Sequence, residues 1–280
     1  KINHVADLII ENLAVSPIVL LAGPSGSAKT TTAMKISEAL NLRGVGTHYV
    51  SLDDYFNTVG EGTPRTPEGD YDLESPLCLD MELLNRHFDE LEKGKRIYVP
   101  KYEFSTQIRV TEPSKSIKLR KDEICIFEGI HALNDDIAGR HPAAFKLHVS
   151  ASSNVAFRGR EVFKATWFRL VRRMVRDYNF RGAEPAATMA MWANVRRGEK
   201  LYITPYKSRA DYSFDSTMAC EGPVMNHTAT KLFQSVPEGI GRFEELRAVL
   251  PAIQLFGVIK ESDVPENSVL REFIGGGIYA

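Results

Sequence analysis

An apolar run that breaks into glycines narrows the fold of this chain most. "PIVLLA" (17–22) leads into "GPSGSAKT" (23–30), and a helical pattern follows at once in "TTTAMKISEALNLRG", with Ala33, Ile36 and Leu40 on one face and Gly44 as its stop. A continuous apolar run of this length reads as a strand buried on both faces, which requires helices on either side of a parallel sheet. A glycine-rich turn between such a strand and a helix points its backbone N–H groups inward as an anion nest, and the helix N-terminus adds partial positive charge. The spacing is that of G-x-x-x-x-G-K-[ST], with Ala28 in place of the second glycine. One methyl is tolerable there if the backbone is helical, and crowds a phosphate if φ is positive. Retained, somewhat weakened phosphate binding is the expectation.

The rest of the chain continues the pattern. A short helix at 3–12 is stopped by Ser16-Pro17, and "THYVSL", "EICIFEG" (123–129), "FKLHVS" (145–150) and "DYSFDSTMAC" read as further strands. "LDMELLNRHFDELEKGK" has helical spacing, residues 57–78 a loop composition, and "RIYVPKYEF" with "SIKLR" the look of a strand pair outside the main sheet. Residues 161–200 are helical and basic, helices are expected at 225–235 and 241–256, and "FIGGGIYA" is weakly structured by composition. Strands alternating with helices imply an α/β fold on a parallel sheet. The expected division is a main domain over 1–219, with a lid at about 161–200, and a C-terminal helical extension over 220–280.

Bulk properties exclude several classes. A net charge of -1 gives no case for nucleic acid or membrane binding, and the apolar runs are far shorter than a bilayer span. Three scattered cysteines, Cys78, Cys125 and Cys220, argue against a disulfide framework or a zinc site and suit a reducing cytoplasm. The chain begins at Lys1 rather than methionine, as a piece of something longer would.

The loop would hold phosphates through Gly23, Ser25, Gly26, Ser27, Ala28, Lys29, Thr30 and Thr31, with Lys29 on the β- and γ-phosphates and the Thr30 hydroxyl on Mg²⁺. In open α/β sheets ligands sit at the carboxyl ends of strands, where Asp53, Asp54 and Glu128 fall. Such acids can hold Mg²⁺ or take a proton from an attacking hydroxyl. In isolation Asp53-Asp54 reads equally as a cap or turn. Arg169, Arg172, Arg173 and Arg176 lie largely on one helix face, which reads as a solvated helix, an RNA-binding stripe or a lid over a transferring phosphate. With the loop present, the lid reading leads. Met189, Met191 and Trp192 read as core, with Trp192 the one that can line a base pocket.

The order "GPSGSAKTT", "SLDDYF", "YDLESP", "PKYEF", "FEGIHAL", "RRMVRDYNFRG" and "PYKSRAD" resembles the uridine kinase branch of the uridine kinase and phosphoribulokinase family over about residues 17–215. "LREFIGG" (Leu270–Gly276) adds similarity to a bacterial-type uridine kinase-like subgroup that often carries an N-terminal TGS domain. The resemblance implies a P-loop NTPase three-layer sandwich with a helical lid, and ATP and Mg²⁺ as cofactors. It makes Asp53 the base for a nucleoside 5′-hydroxyl, Thr30, Glu128 and Asp53 the metal group, and Lys29, Arg173 and Arg176 the phosphate-side catalytic groups. Asp72 would hold ribose hydroxyls and Tyr102 would lie beside the base, with Arg109, Arg181 and Trp192 also on the substrate side. Gln107, Ala183 and Met191 depart from the family where the base is read, and lost hydrogen-bonding groups erase discrimination. The implied protein is a cytoplasmic kinase of a nucleoside-like small molecule, with homo-oligomerisation left open. The alternatives are a kinase of a phosphosugar or pantothenate-like alcohol, and a nucleotide-dependent regulator with little kinase activity.

Overall fold

The structure is a computed structural model, and it describes residues 1–279. In chain order come α1 (Ile2–Leu13), β1 (Ile18–Ala22), α2 (Lys29–Asn41), β2 (Gly46–Ser51), α3 (Met81–Glu92), β3 (Ile97–Glu103), β4 (Ile108–Ile117), β5 (Glu123–Glu128) and β6 (Phe145–Ser150). They are followed by β7 (Val155–Phe157), β8 (Arg160–Phe163), α4 (Ala165–Arg181), α5 (Pro185–Gly198), β9 (Tyr212–Asp215), α6 (Glu221–Gln234), α7 (Phe243–Ile253) and α8 (Arg271–Ile274). Five strands form the main sheet in the order β2-β5-β1-β6-β9, and the pairs β2–β5, β5–β1 and β1–β6 are parallel. The chain groups into two compact units that interleave in sequence. One holds Lys1–Pro24, Thr32–His148 and Gly198–Phe214, the other Ser25–Thr31, Val149–Arg197 and Asp215–Ala280.

In the first unit, β1 is buried at every position and β5 at all but its first, as the continuous apolar runs required. Register matters more than composition here. Glu128 lies opposite both Leu21 of β1 and Ser51 of β2, so these three strands end level. The residue after Glu128 must be small, because a Cβ on Gly129 would lie 2.6 Å from the Leu52 side chain. Helix α3 is capped by Asp80, which accepts a 2.9 Å bond from the Leu83 amide, and it buries Leu84, Phe88 and Leu91. The Phe88 ring meets Phe127 of β5 edge-on at 4.4 Å. β3 and β4 form a separate antiparallel pair whose register shifts between Val99 and Lys101, at Pro100, which has no N–H to donate. That pair is longer than expected: the second strand begins at Ile108, not near Ser116.

The second unit is mostly helical around a core that includes Phe168, Met174, Trp192, Met225, Phe233, Leu270 and Phe273. The hairpin β7–β8 turns through Arg158 and Gly159, both at positive φ, and the end of β8 occupies the start of the stretch from 161 that was expected to be helical. α4 stops at Gly182, whose φ of 61° is the left-handed conformation glycine supplies without strain. Met189 and Trp192 are core, but Met191 is 56% exposed, contrary to expectation, because it projects from the opposite side of α5. Of the glycine-rich C-terminal end only Phe273 and Ile274 join a helix, α8, with Phe273 fully buried; Gly275–Tyr279 form no helix or strand, in line with the weak structure expected of their composition.

Candidate active site

The phosphate-loop residues Ser25–Thr31 and the arginine helix α4 belong to the second unit. Gly26 has φ +74°, and a Cβ there would approach the Arg169 carbonyl oxygen to 2.8 Å, so the loop passes the helix at a distance only glycine permits. Arg169 Nε donates to the Ser25 carbonyl (2.9 Å), Arg172 to the Gly26 carbonyl (3.2 Å) and Arg173 to Ser25 Oγ (2.7 Å). Ser216 Oγ donates to the Ser27 carbonyl at 2.8 Å. Three successive loop carbonyls, those of Ser25, Gly26 and Ser27, are thereby satisfied by side-chain donors.

Arg172 is the pivot. It is wholly buried, ion-paired to the equally buried Glu221 at 2.5 Å, bonded to the Ser216 carbonyl at 2.8 Å and set 5.2 Å from the Phe273 ring centre. Burial pushes the Glu221 carboxyl up, and the Arg172 guanidinium opposes that shift. Further along α4, Asp177 collects Arg173 (3.2 Å), Arg176 (2.7 Å) and the mostly exposed Arg181 (3.6 Å). Neither Glu221 nor Asp177 had a sequence signal beyond an acid near arginines. Trp192 is fully buried, with Nε1 donating to Glu245 at 3.2 Å.

Ala28 has φ +65°, the less favourable of the two conformations weighed above, and is 1% exposed within the apolar cluster of this unit. A left-handed alanine costs about 1 kcal/mol. Burying its methyl returns about 0.8 kcal/mol. The two nearly offset, so alanine is sustainable here. Ser27 Oγ and Thr32 Oγ1 are buried and have no hydrogen-bond partner among the described residues. Orphaned hydroxyls beside loop amides, with Lys29 and Thr30 half-buried next to them, fit a polyphosphate and its metal ion.

The strand-end acids belong to the first unit. Glu128, 6% exposed, accepts a 2.7 Å bond from the Tyr49 hydroxyl of β2. Asp53 and Asp54 lie in a 3-10 turn whose N-cap is Ser51, with Ser51 Oγ accepting from the Asp53 amide at 3.2 Å. The acids are therefore not the caps of their own turn. Both are half-buried, and burial raises the Asp54 carboxyl. Asp72 is 4% exposed and accepts a 2.9 Å bond from the Tyr202 hydroxyl. His131 is 2% exposed beside Tyr202, at 6.3 Å between ring centres, and burial pulls its imidazole down to about 4.

Tyr102 packs against Phe56 (5.5 Å) and Phe104 (5.0 Å), an aromatic group beside the Asp53 turn. A cavity of about 260 Å³ opens next to Phe56, lined also by Asn57, Thr58, Thr63, Pro64, Leu73, Leu77 and Cys78. Arg109 donates to the carbonyls of Tyr55 (2.5 Å) and Phe56 (3.1 Å) and to Asp80 (2.7 Å), bracing the backbone that follows Asp53. Gln107 is exposed at the β3–β4 turn with φ +57°.

A glycine-rich loop between a buried parallel strand and a helix, in a mixed α/β chain with a parallel central sheet, is the architecture of a P-loop fold. The chain belongs to the phosphoribulokinase and uridine kinase family, whose pattern matches residues 18–221. It is 34% identical over 262 residues to a uridine kinase of Schizosaccharomyces pombe, covering 91% of this chain and 53% of that protein. Against a uridine kinase of Saccharomyces cerevisiae it is 28% identical over 224 residues, 77% of this chain and 40% of the relative. The chain thus spans about half the length or less of these two curated relatives. A crystal structure provisionally assigned as a fructose transport system kinase of Silicibacter sp. TM1040 shares the fold, with a TM-score of 0.54 at 18% identity over 76% of this chain and 98% of that one. No helix among the described residues is long and apolar enough to cross a membrane.

Proposed function

We propose that the chain is a phosphotransferase that moves the terminal phosphoryl group of ATP to the 5′-hydroxyl of a ribonucleoside. The observation that carries this reading is register. Glu128 stands level with Leu21, two residues before the phosphate loop, and with Ser51, two residues before Asp53. Family membership and the uridine kinase names of the relatives support it.

Lys29, the loop amides, Ser27 and Thr31 hold the phosphates of ATP, and Arg173 and Arg176 offset charge on the transferring group. Thr30 on the loop, and Glu128 and Asp53 at the strand ends, would serve Mg²⁺, which would supply charge neutralisation on the phosphate oxygens. Asp72, fixed by Tyr202, holds the ribose hydroxyls, and Tyr102 lies beside the base. Asp53 accepts the 5′-hydroxyl proton as the new O–P bond forms and the bond to the departing ADP breaks. Arg109 supports the acceptor side through the Asp53 turn, and Arg181 and Trp192 act through α4 and α5.

Departures at Gln107, Ala183 and Met191 make the base the open variable. Incubation with ATP, Mg²⁺ and pooled nucleosides, with the product identified by mass, decides the acceptor. ADP release that no nucleoside or small alcohol accelerates, alongside tight ATP binding, would favour a regulator instead. Asp53→Asn is expected to abolish turnover and leave ATP affinity within about threefold; turnover like the wild type removes Asp53 as the base. Similarity of the "LREFIGG" segment to the subgroup that often carries a TGS domain supports a uridine kinase-like reading. Three free cysteines, two of them buried, suit a cytoplasmic setting.

A further inference from the structure

Thr31, in the first turn of α2, has an unexpected partner. Its hydroxyl donates to Glu272 Oε2 at 2.6 Å and its amide to the same oxygen at 3.3 Å, across 241 residues of sequence. Thr31 is 3% exposed, whereas Glu272 is only half-buried. First-turn amides behind a glycine-rich loop are donors to phosphate oxygens. A carboxylate brings the same things to them: negative charge and acceptor lone pairs with no donor of its own.

The contact does not come from a loose tail. Leu270 and Phe273, on either side, are fully buried. Arg271 donates to the carbonyls of Val264, Glu261 (3.1 Å) and Gly275 (3.0 Å), and Asn179 of α4 donates to the Phe273 carbonyl at 3.2 Å. The backbone around Glu272 is therefore held, so withdrawal of the carboxylate is left to rotation about its own side-chain bonds.

We propose that Glu272 is an internal competitor for nucleotide phosphate. It occupies the Thr31 amide and hydroxyl in the resting chain and swings away when a phosphate takes them, so the C-terminal segment sets the affinity of the loop. This rests on the loop being a nucleotide site. A carboxylate that merely capped α2 would stabilise the helix and leave nucleotide affinity untouched, which separates the two roles.

The test is calorimetric titration of the full chain with ATP and Mg²⁺, for the wild type, Glu272→Gln and Glu272→Ala, with Tm measured in parallel. Both variants are expected to bind ATP about three- to tenfold more tightly, the scale of one charge-assisted hydrogen bond at a half-exposed site. Binding seen in the variants alone would support the competitor even more strongly. Wild-type binding with unchanged or weaker affinity in both variants overturns it and leaves Glu272 as a cap. Absence of ATP binding in all three overturns the nucleotide reading and the competitor with it. If Glu272→Ala does not fold, the nearly isosteric Glu272→Gln carries the test.

Discussion

The Tyr202 hydroxyl donates a 2.9 Å hydrogen bond to Oδ2 of Asp72, tying the segment after α5 to the 57–78 loop. Asp72 is 4% exposed, so this bond sets where its remaining lone pairs point. Tyr202→Phe removes one hydrogen bond to a charged group, about 1–2 kcal/mol, and should raise the acceptor KM roughly five- to thirtyfold. The turnover number should change less than about twofold, because the bond orients the acceptor in ground and transition states alike. Steady-state kinetics with varied acceptor checks this, and an unchanged KM removes Asp72 from acceptor binding.

Arg172 and Glu221 form an ion pair in which both side chains are 0% exposed. Arg172→Met leaves the Glu221 carboxylate buried without its counter-charge and should destabilise the fold by about 3–5 kcal/mol. Replacing both partners with methionine should recover most of that loss, since the desolvation penalty goes with the charges. Denaturant midpoints of the two single variants and the double variant give the comparison. A double variant no more stable than Arg172→Met would contradict it.

Ala28→Gly relieves the left-handed strain, worth about 1 kcal/mol, but gives up a buried methyl of about 0.8 kcal/mol and adds unfolded-chain entropy. Stability should therefore shift by less than about 1 kcal/mol. ATP affinity should stay equal or rise a few-fold, since a methyl leaves the loop. A weaker binder would show that the Ala28 methyl helps to shape the loop.

His131 governs part of the acid response. Its folded pKa, about 4, lies below the ordinary value of about 6.5 for an unfolded chain. Between these values the unfolded chain binds the extra proton, so stability is full above about pH 6.5 and falls as the pH drops towards 4. The loss reaches at most about 3 kcal/mol. Burial lowers His87 and His141 in the same direction, so they share the slope. His131→Phe should make the fall in Tm between pH 6.5 and 4 shallower while moving Tm at pH 7.5 by only a few degrees. An unchanged slope would mean that the imidazole is already solvated.

The elements were largely legible because parallel strands and amphipathic helices write their burial into local patterns. "IVLLA", "EICIFE" and "FKLHVS" became β1, β5 and β6 within a residue or two. The hairpin β7–β8 escaped because three- and four-residue strands carry too little periodicity to stand out. The α8 segment escaped because four residues carry too little periodicity to stand out, and nothing local tells of Phe273 filling a distant core.

By itself the sequence determined the loop, the strand ends that bear acids and the family order of motifs, all features of adjacent residues. Tertiary structure alone decided the partners: Tyr49 on Glu128, Tyr202 on Asp72, Glu221 on Arg172 and Glu272 on Thr31. Each joins positions 49 to 241 residues apart, and a hydrogen bond of that span leaves no periodicity or spacing in the chain. It exists only once burial has removed water and the remaining polar groups must find each other.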